Sequence, residues 1–453
     1  MTPRDDLPPT ATPAADAPAG DAPGGDARGL SRRALIAGVA GVAAGTLLDA
    51  LQPGLIAGQG TPSPTAAPPP VPASGAPVPR VPTDPSLVPG LPSGPLSARS
   101  PFETPALVPV GVTTGSSSTP LQALSGTITP SDLVFQRHHN GIALVDPDRY
   151  ELLVHGLVER PTSFSLADLQ RFPAVTRVHF LECAGNGRAA YRAPKPEMTP
   201  QDVDGLTSNC EWTGVPLATL LREVGVRRDA AWLLAEGGDA AKLARSVPVA
   251  EVLDDALVVY AQNGEPLRAP NGYPVRLLLP GYEGNMNVKW LRRLELGTEP
   301  WMFRDETAKY TDPLPDGTAR RFSFVMDAKS IITAPAHPDR LAGPGWWPVR
   351  GIAWSGRGRI TRVDVSTDGG RSWAAAELAG PVLPKAHTRF ELMWRWDGRP
   401  TRLTSRAVDE TGYVQPTLAD YRRVRGSGTD YHFNAIRGWD VRADGRVFFG
   451  VDA

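Results

Sequence analysis

Hydrophobic and polar positions change rhythm twice along the chain. Up to about residue 110, Pro, Ala, Gly, Ser and Asp dominate, and such a composition cannot bury enough apolar surface to fold. Between about 130 and 315, short apolar blocks alternate with polar turns. Tyr150 to Gly156 reads as a strand, and Val175 to Leu181 as another that delivers Cys183 at its end. Ser165-Leu166-Ala167-Asp168-Leu169 predicts a short helix, with Ser165 as its cap and Asp168 at the third helical position. Thr213 to Leu217 leads into a helix through Leu221, and Val275 to Leu279 is a buried strand stopped by Pro280-Gly281. After Arg320 the pattern becomes one of short strands: Ile360 to Val365, Arg389 to Trp396 and Leu403 to Val408, with turn chemistry at Asp368-Gly369-Gly370 and Asp397-Gly398. That rhythm predicts an all-β sandwich of about 130 residues.

A chain of 453 residues has room for two or three folded units. Its 47 Lys+Arg against 48 Asp+Glu argue against a bulk nucleic-acid binder, which carries a clear basic excess. Of the 48 prolines, 23 fall in the first 110 residues, so residues 59–109 read as an extended linker. Ser31-Arg32-Arg33 precedes an uncharged run from Ala34 to Leu48, which predicts a twin-arginine export signal over residues 1–58. The run is short and glycine-rich for a membrane span of about 20 residues, although an uncleaved tether is the alternative. The two folded units expected are a mixed α and β domain over 110–318 and the β sandwich over 319–453, an α+β chain.

Cys183 and Cys210 are the only cysteines. A thiolate is a soft metal ligand. The same pair could form a disulfide in an exported protein, or be two inert buried thiols. The surroundings of Cys183 set it apart: Glu182-Cys183-Ala184-Gly185-Asn186-Gly187-Arg188 is a turn with an arginine five residues on. Further segments follow in order along the chain: Phe135-Gln136-Arg137-His138-His139, Glu236-Gly237-Gly238-Asp239, Asn271-Gly272-Tyr273-Pro274-Val275-Arg276, Asn287-Val288-Lys289-Trp290 and Ala308-Lys309-Tyr310.

Together these segments resemble the sulfite oxidase family of molybdenum enzymes. Within it they are most similar to the molybdenum subunit of bacterial thiosulfate-oxidising systems, through Arg137-His138-His139 and Arg177 to Cys183. The likeness runs over about residues 120–450 and includes Gly351 to Gly356, Asp364 to Gly370 and Arg406 to Asp409 in the second domain. It implies a molybdopterin-binding domain followed by an immunoglobulin-like dimerisation domain, and a molybdenum–molybdopterin cofactor ligated by Cys183. It also implies substrate contacts from Arg137, Arg188 and Tyr310, and cofactor contacts from Phe135, His139, Asp239, Asn271, Arg276, Asn287 and Lys289. His138 stands where the family has Asn, and Asn271 where it has His. A further anion-binding arginine is implied near the carboxyl end, with Arg437 and Arg442 both near the place.

The implied activity is oxidation of sulfite, or of sulfane sulfur on a carrier protein, by oxo transfer at molybdenum. Two electrons must then leave. Two cysteines cannot supply a Cys-x-x-Cys-His haem attachment or the four ligands of a usual iron–sulfur cluster, and no Gly-x-Gly-x-x-Gly follows a strand. No haem is therefore expected on this chain, and the expected acceptor is a separate c-type cytochrome. His155, His179, His337, His387 and His432 are scattered without zinc-like spacing. The alternatives are a molybdopterin-dependent reductase of the methionine-sulfoxide type, whose relatives lack the second domain, and an exported β-sandwich binding protein. A nitrate-reducing enzyme is a third, supported by the shared core alone.

Overall fold

The computed structural model describes residues 92–451 except 315 and 427. The expected export signal, and the linker as far as residue 91, lie outside the described residues. Residues 92–107 contain no helix or strand. Thereafter β1 (Val108–Gly111), β2 (Gly115–Ser118) and β3 (Gln136–His138) form a small antiparallel sheet. Ten more strands complete the first half. They are β4 (Glu151–Gly156), β5 (Thr162–Ser165), β6 (Val175–Glu182), β7 (Thr207–Pro216) and β8 (Trp232–Gly237). Then come β9 (Ala244–Pro248), β10 (Leu257–Gln262), β11 (Glu265–Pro266), β12 (Arg276–Leu278) and β13 (Leu291–Gly297). One sheet has the order β11-β10-β7-β6, with β12 also paired to β10; the other runs β5-β4-β13-β8-β9, with β4 and β13 parallel.

Local chemistry explains the helices between them. The Ser165 hydroxyl accepts from the Asp168 N–H at 3.1 Å, and the Asp168 carboxylate accepts from the Ser165 N–H at 3.0 Å, the reciprocal box expected from the sequence. In the helix Leu217–Val224, Leu217, Leu220, Leu221 and Val224 fall on one face and are buried. That face packs with Leu152, Val215, Leu233, Val258, Leu277 and Leu294 into a core shared by both large sheets. Each such side chain contributes roughly 1.5–3 kcal/mol by leaving water.

After the short pair β14 (Asp312–Pro313) and β15 (Ala319–Arg320), the chain builds the sandwich. Its strands are β16 (Lys329–Ala334), β17 (Gly345–Trp354), β18 (Ile360–Ser366), β19 (Ala374–Ala375) and β20 (Glu377–Ala379). They continue with β21 (Thr388–Trp396), β22 (Thr401–Asp409), β23 (Gly438–Val441) and β24 (Val447–Phe449). The two sheets run β16-β17-β21-β20 and β19-β18-β22-β23-β24. Asp397-Gly398 thus joins strands of opposite sheets. Val349, Trp354, Val363, Phe390, Leu403 and Trp439 fill the space between, and Phe180, Met198 and Val203 from the first half join the same core. Continuity of that core makes the sandwich part of the frame around Cys183.

Candidate active site at the end of β6

β6 ends at Glu182, and the chain turns sharply before β7 begins at Thr207. Within the turn, the Asn186 N–H donates to the Cys183 carbonyl at 2.9 Å, and the Arg188 N–H to Gly185 at 3.1 Å. The Cys183 N–H donates back to Leu206 at 3.0 Å, which ties the turn to the start of the neighbouring strand. Gly187 sits at φ 94°, where a Cβ would approach Phe433 to 2.9 Å and the Asp204 carboxylate to 3.1 Å, so glycine alone fits. Both cysteines are free. Cys210 is wholly buried and bonded by Gln262 at 3.1 Å, its thiol pushed up to about 12 by burial, so the disulfide alternative is not realised. Burial also raises the Cys183 thiol, against the pull of the Gly185 N–H, Arg137 and Arg188.

Two cavities meet at Cys183. The inner one contains about 760 Å³ of empty space and is bordered by Phe135, Arg137, His139, Asp239, Asn271, Arg276, Asn287, Lys289 and Tyr310. Ten of the eleven residues named from the sequence therefore converge on it, Cys183 included. Arg188 lines the outer, more open cavity of about 1170 Å³, with Arg137, Cys183 and the β1–β2 hairpin. Arg137 and Cys183 border both.

The inner cavity is cationic. Arg276 is buried, donates to the carbonyls of Asn271 at 2.9 Å and Asn287 at 3.0 Å, and lies over the Trp212 ring. Burial brings it down to about 10. Lys289 donates to the carbonyls of Arg137 and Pro270 and meets His138 Nδ1 at 2.9 Å; burial and Arg276 hold it well below the usual lysine range. His138 is driven down to about 3 by burial, Lys289 and Arg137, and is therefore neutral. Asp239 is the one carboxylate on this lining. Arg276 Nε and Asn285 Nδ2 are buried donors with no partner among the described residues. Unpaired buried donors are costly, so a cavity offering them together with Arg276 and Lys289 suits a polar, anionic occupant such as a pterin phosphate. Cys183 places a soft ligand on the wall of the same cavity. Asn287 differs in kind: its amide accepts from Leu279 at 2.7 Å and donates to Glu283 at 3.1 Å, so it braces the loop that carries Lys289.

On the outer side, Arg188 donates to the Asp430 carbonyl at 2.8 and 3.1 Å and lies over Tyr431. Of the two carboxyl-terminal arginines, Arg437 is at the turn: a Cβ on Gly187 would lie 3.3 Å from its Nη2. It is 6% exposed, and its Nε and Nη2 have no partner among the described residues. Arg442 is exposed and lies over Phe448 instead. Tyr310, at φ 51°, bonds His139 Nε2 through its hydroxyl at 3.1 Å, packs its ring face against the Arg245 guanidinium and meets the Tyr431 ring at a tilt.

Residues 139–303 match the oxidoreductase molybdopterin binding domain, and residues 320–438 the Mo-co oxidoreductase dimerisation domain. The chain is 33% identical to sulfite oxidase of Gallus gallus over 325 residues, 66% of this chain and 70% of that protein. The chain belongs to the sulfite oxidase family. Another relative is nitrate reductase [NADH] 2 of Phaseolus vulgaris, 31% identical over 61% of this chain and 34% of that protein. The crystal structure of the sulfane dehydrogenase SoxCD from Paracoccus pantotrophus is 46% identical with a TM-score of 0.77, covering 80% of this chain and 95% of that one. The chain is thus a molybdopterin-dependent oxidoreductase with the α+β architecture expected, and the reading as a non-enzymatic binding protein is overturned.

Several residues at the site escaped the sequence. His138 was given no site role from the sequence, yet it is buried against Lys289. Arg245 is wholly buried beneath Tyr310 and bonds Asn285 and Glu283. His432 meets Glu283 at 3.4 Å and donates its N–H to the Ala184 carbonyl within the Cys183 turn. Charged residues on alternating strands and loops read as solvent-facing, and no local pattern marks them as buried.

Proposed function

We propose that this chain oxidises a reduced sulfur centre at a molybdenum ligated by Cys183 and passes the electrons to a separate c-type cytochrome. The observation that carries the proposal is the position of Cys183, between a cationic inner cavity and a more open cavity bordered by arginines. When bound, the molybdenum cofactor supplies oxygen-atom transfer and stores two electrons. Arg276 and Lys289 would hold its anionic groups, and His139 and Asn271 would border the pterin. Arg137 and Arg188 supply positive charge for an oxyanion on the outer side, where partial desolvation strengthens each contact, and buried Arg437 stands behind them at Gly187. The Tyr310 hydroxyl can donate to the substrate while His139 orients it. Oxidation of sulfite consumes one water and releases two protons and two electrons; the protons leave through the solvated outer cavity.

Sulfur presented on a carrier is favoured by the likeness to a sulfane dehydrogenase and is compatible with the open outer cavity. Sulfite is the second substrate, favoured by the arginines. Steady-state rates with sulfite and with a carrier-bound sulfane separate the two. A separate c-type cytochrome acceptor is supported by the two-cysteine count, which leaves no Cys-x-x-Cys-His haem attachment in this sequence. We further infer export by the twin-arginine route, supported by Arg32-Arg33 and the run that follows. Replacing Arg32-Arg33 by two lysines tests it by retaining the protein in the cytoplasm. A homodimer is supported by the dimerisation-domain match and by exposed Trp346 and Met393 on β17 and β21. Sedimentation equilibrium decides it.

A further inference from the structure

Glu182 precedes Cys183 and is wholly buried, as is Asp204. A buried carboxylate is tolerated only where its lone pairs are engaged. Both oxygens of Glu182 are engaged, and chiefly from the sandwich. Oε1 accepts from Lys329 Nζ at 2.7 Å and from Asn186 Nδ2 at 3.0 Å; Oε2 accepts from Trp354 Nε1 at 2.6 Å. Lys329 and Trp354 are cross-strand partners on β16 and β17, so one register of one hairpin presents both donors. Lys329 also donates to Asp204 at 3.0 Å. The Asn186 amide closes the circuit, donating to the Asp204 carbonyl at 3.0 Å and accepting from the Leu206 N–H at 2.9 Å. Phe180 and His387 pack on the Trp354 ring and fix its direction.

The circuit encloses the backbone of the Cys183 turn. Glu182 anchors it on one side and Asn186 on the other, and both bonds to Glu182 Oε1 converge on the same atom. An apolar trio could fill this space without burying three charges. We propose that Lys329 and Trp354 are positioning residues for the Cys183 sulfur, so that the sandwich completes the metal centre in addition to any role in dimerisation. The inference rests on the reading of Cys183 as the molybdenum ligand. Both residues lie beyond the stretch 139–303 that matches the molybdopterin domain. Loss of an outer partner that orients a metal ligand typically costs about 10–100-fold in activity or metal affinity.

Lys329→Met leaves two buried carboxylates without their cation and is expected to disrupt folding, so the test rests on Trp354→Phe, which removes the indole N–H bond to Glu182 and keeps a smaller aromatic ring in the core. Asp255→Asn is the control. It removes an ion pair with Lys385 that joins the first half to the loop before β21 without touching the Cys183 turn. Holoenzymes are compared by molybdenum content, kcat, KM and the electron paramagnetic resonance of the one-electron-reduced metal. Trp354→Phe should load molybdenum like wild type, keep KM within about 2-fold, lose about 10-fold in kcat, and shift the g-values. Asp255→Asn should change none of these. Wild-type resonance and kcat in Trp354→Phe, or equal losses in Asp255→Asn, overturn the inference alone. Absence of molybdenum from the wild-type protein overturns the Cys183 reading and the inference with it.

Discussion

Replacing Arg437 with methionine should stabilise the protein while weakening its hold on an oxyanion. Arg437 is 6% exposed, and its Nε and Nη2 find no partner among the described residues. A buried donor left unsatisfied costs about 1–3 kcal/mol, more when charged, so two such donors cost at least about 2 kcal/mol. Methionine has a similar reach and no donors. Arg437→Met is therefore expected to gain about 2 kcal/mol without ligand, a rise of several degrees in Tm. A charge-assisted hydrogen bond to a bound oxyanion contributes about 1.5–3 kcal/mol, so the same change should raise KM about 10–150-fold. Thermal unfolding during a sulfate titration measures both halves. Sulfate at 100 times its Kd adds about 2.7 kcal/mol to wild type, and that increment should vanish in the variant. A lower Tm without sulfate, or a sulfate response like that of wild type, would refute the placement of Arg437 as an unpaired anion receptor.

Three further outcomes are expected. Tyr310→Phe removes the hydroxyl that meets His139 at 3.1 Å and should cut kcat about 10-fold, with a stability change below about 1.5 kcal/mol by urea unfolding. Cys210→Ala should keep full molybdenum content, because this thiol is buried away from both cavities, and lose about 1–2 kcal/mol from the packing and the Gln262 bond. Acid should destabilise the fold from about pH 6.5 downward. His179 is brought down to about 4 and His387 to about 3, chiefly by burial, so between these values and 6.5 the unfolded chain binds protons that the folded chain does not. Each contributes a slope of up to about 1.4 kcal/mol per pH unit over that window, and His387→Gln should flatten the dependence of the urea midpoint on pH.

What the sequence could reveal followed from local periodicity. Alternation from Val175 to Leu181 located β6, and a strand followed by Ala-Gly-Asn-Gly could only put Cys183 at a turn. Ser165 and Asp168, three apart, announced their helix in the same local way. Residues whose meaning depends on distant partners stayed hidden. Lys329 opens β16, where a lysine would ordinarily face water; its partners Glu182 and Asp204 lie 147 and 125 positions away. Arg437 and Arg442 differ in nothing that neighbouring residues record; Arg437 reaches the turn because its segment is tied there by the His432 N–H on Ala184 and by Arg188 on Asp430. Asn287, expected to contact the cofactor, borders the inner cavity, but its amide is spent on the backbone around it.

The central claim is that Cys183 holds molybdenum that acts on sulfur. It is tested most directly by metal analysis of native protein and of Cys183→Ser, with sulfite-dependent cytochrome c reduction read on both. The account predicts about one molybdenum per chain in the native protein and loss of activity in the variant. Native protein without molybdenum, or a Cys183→Ser variant as active as wild type, would contradict it.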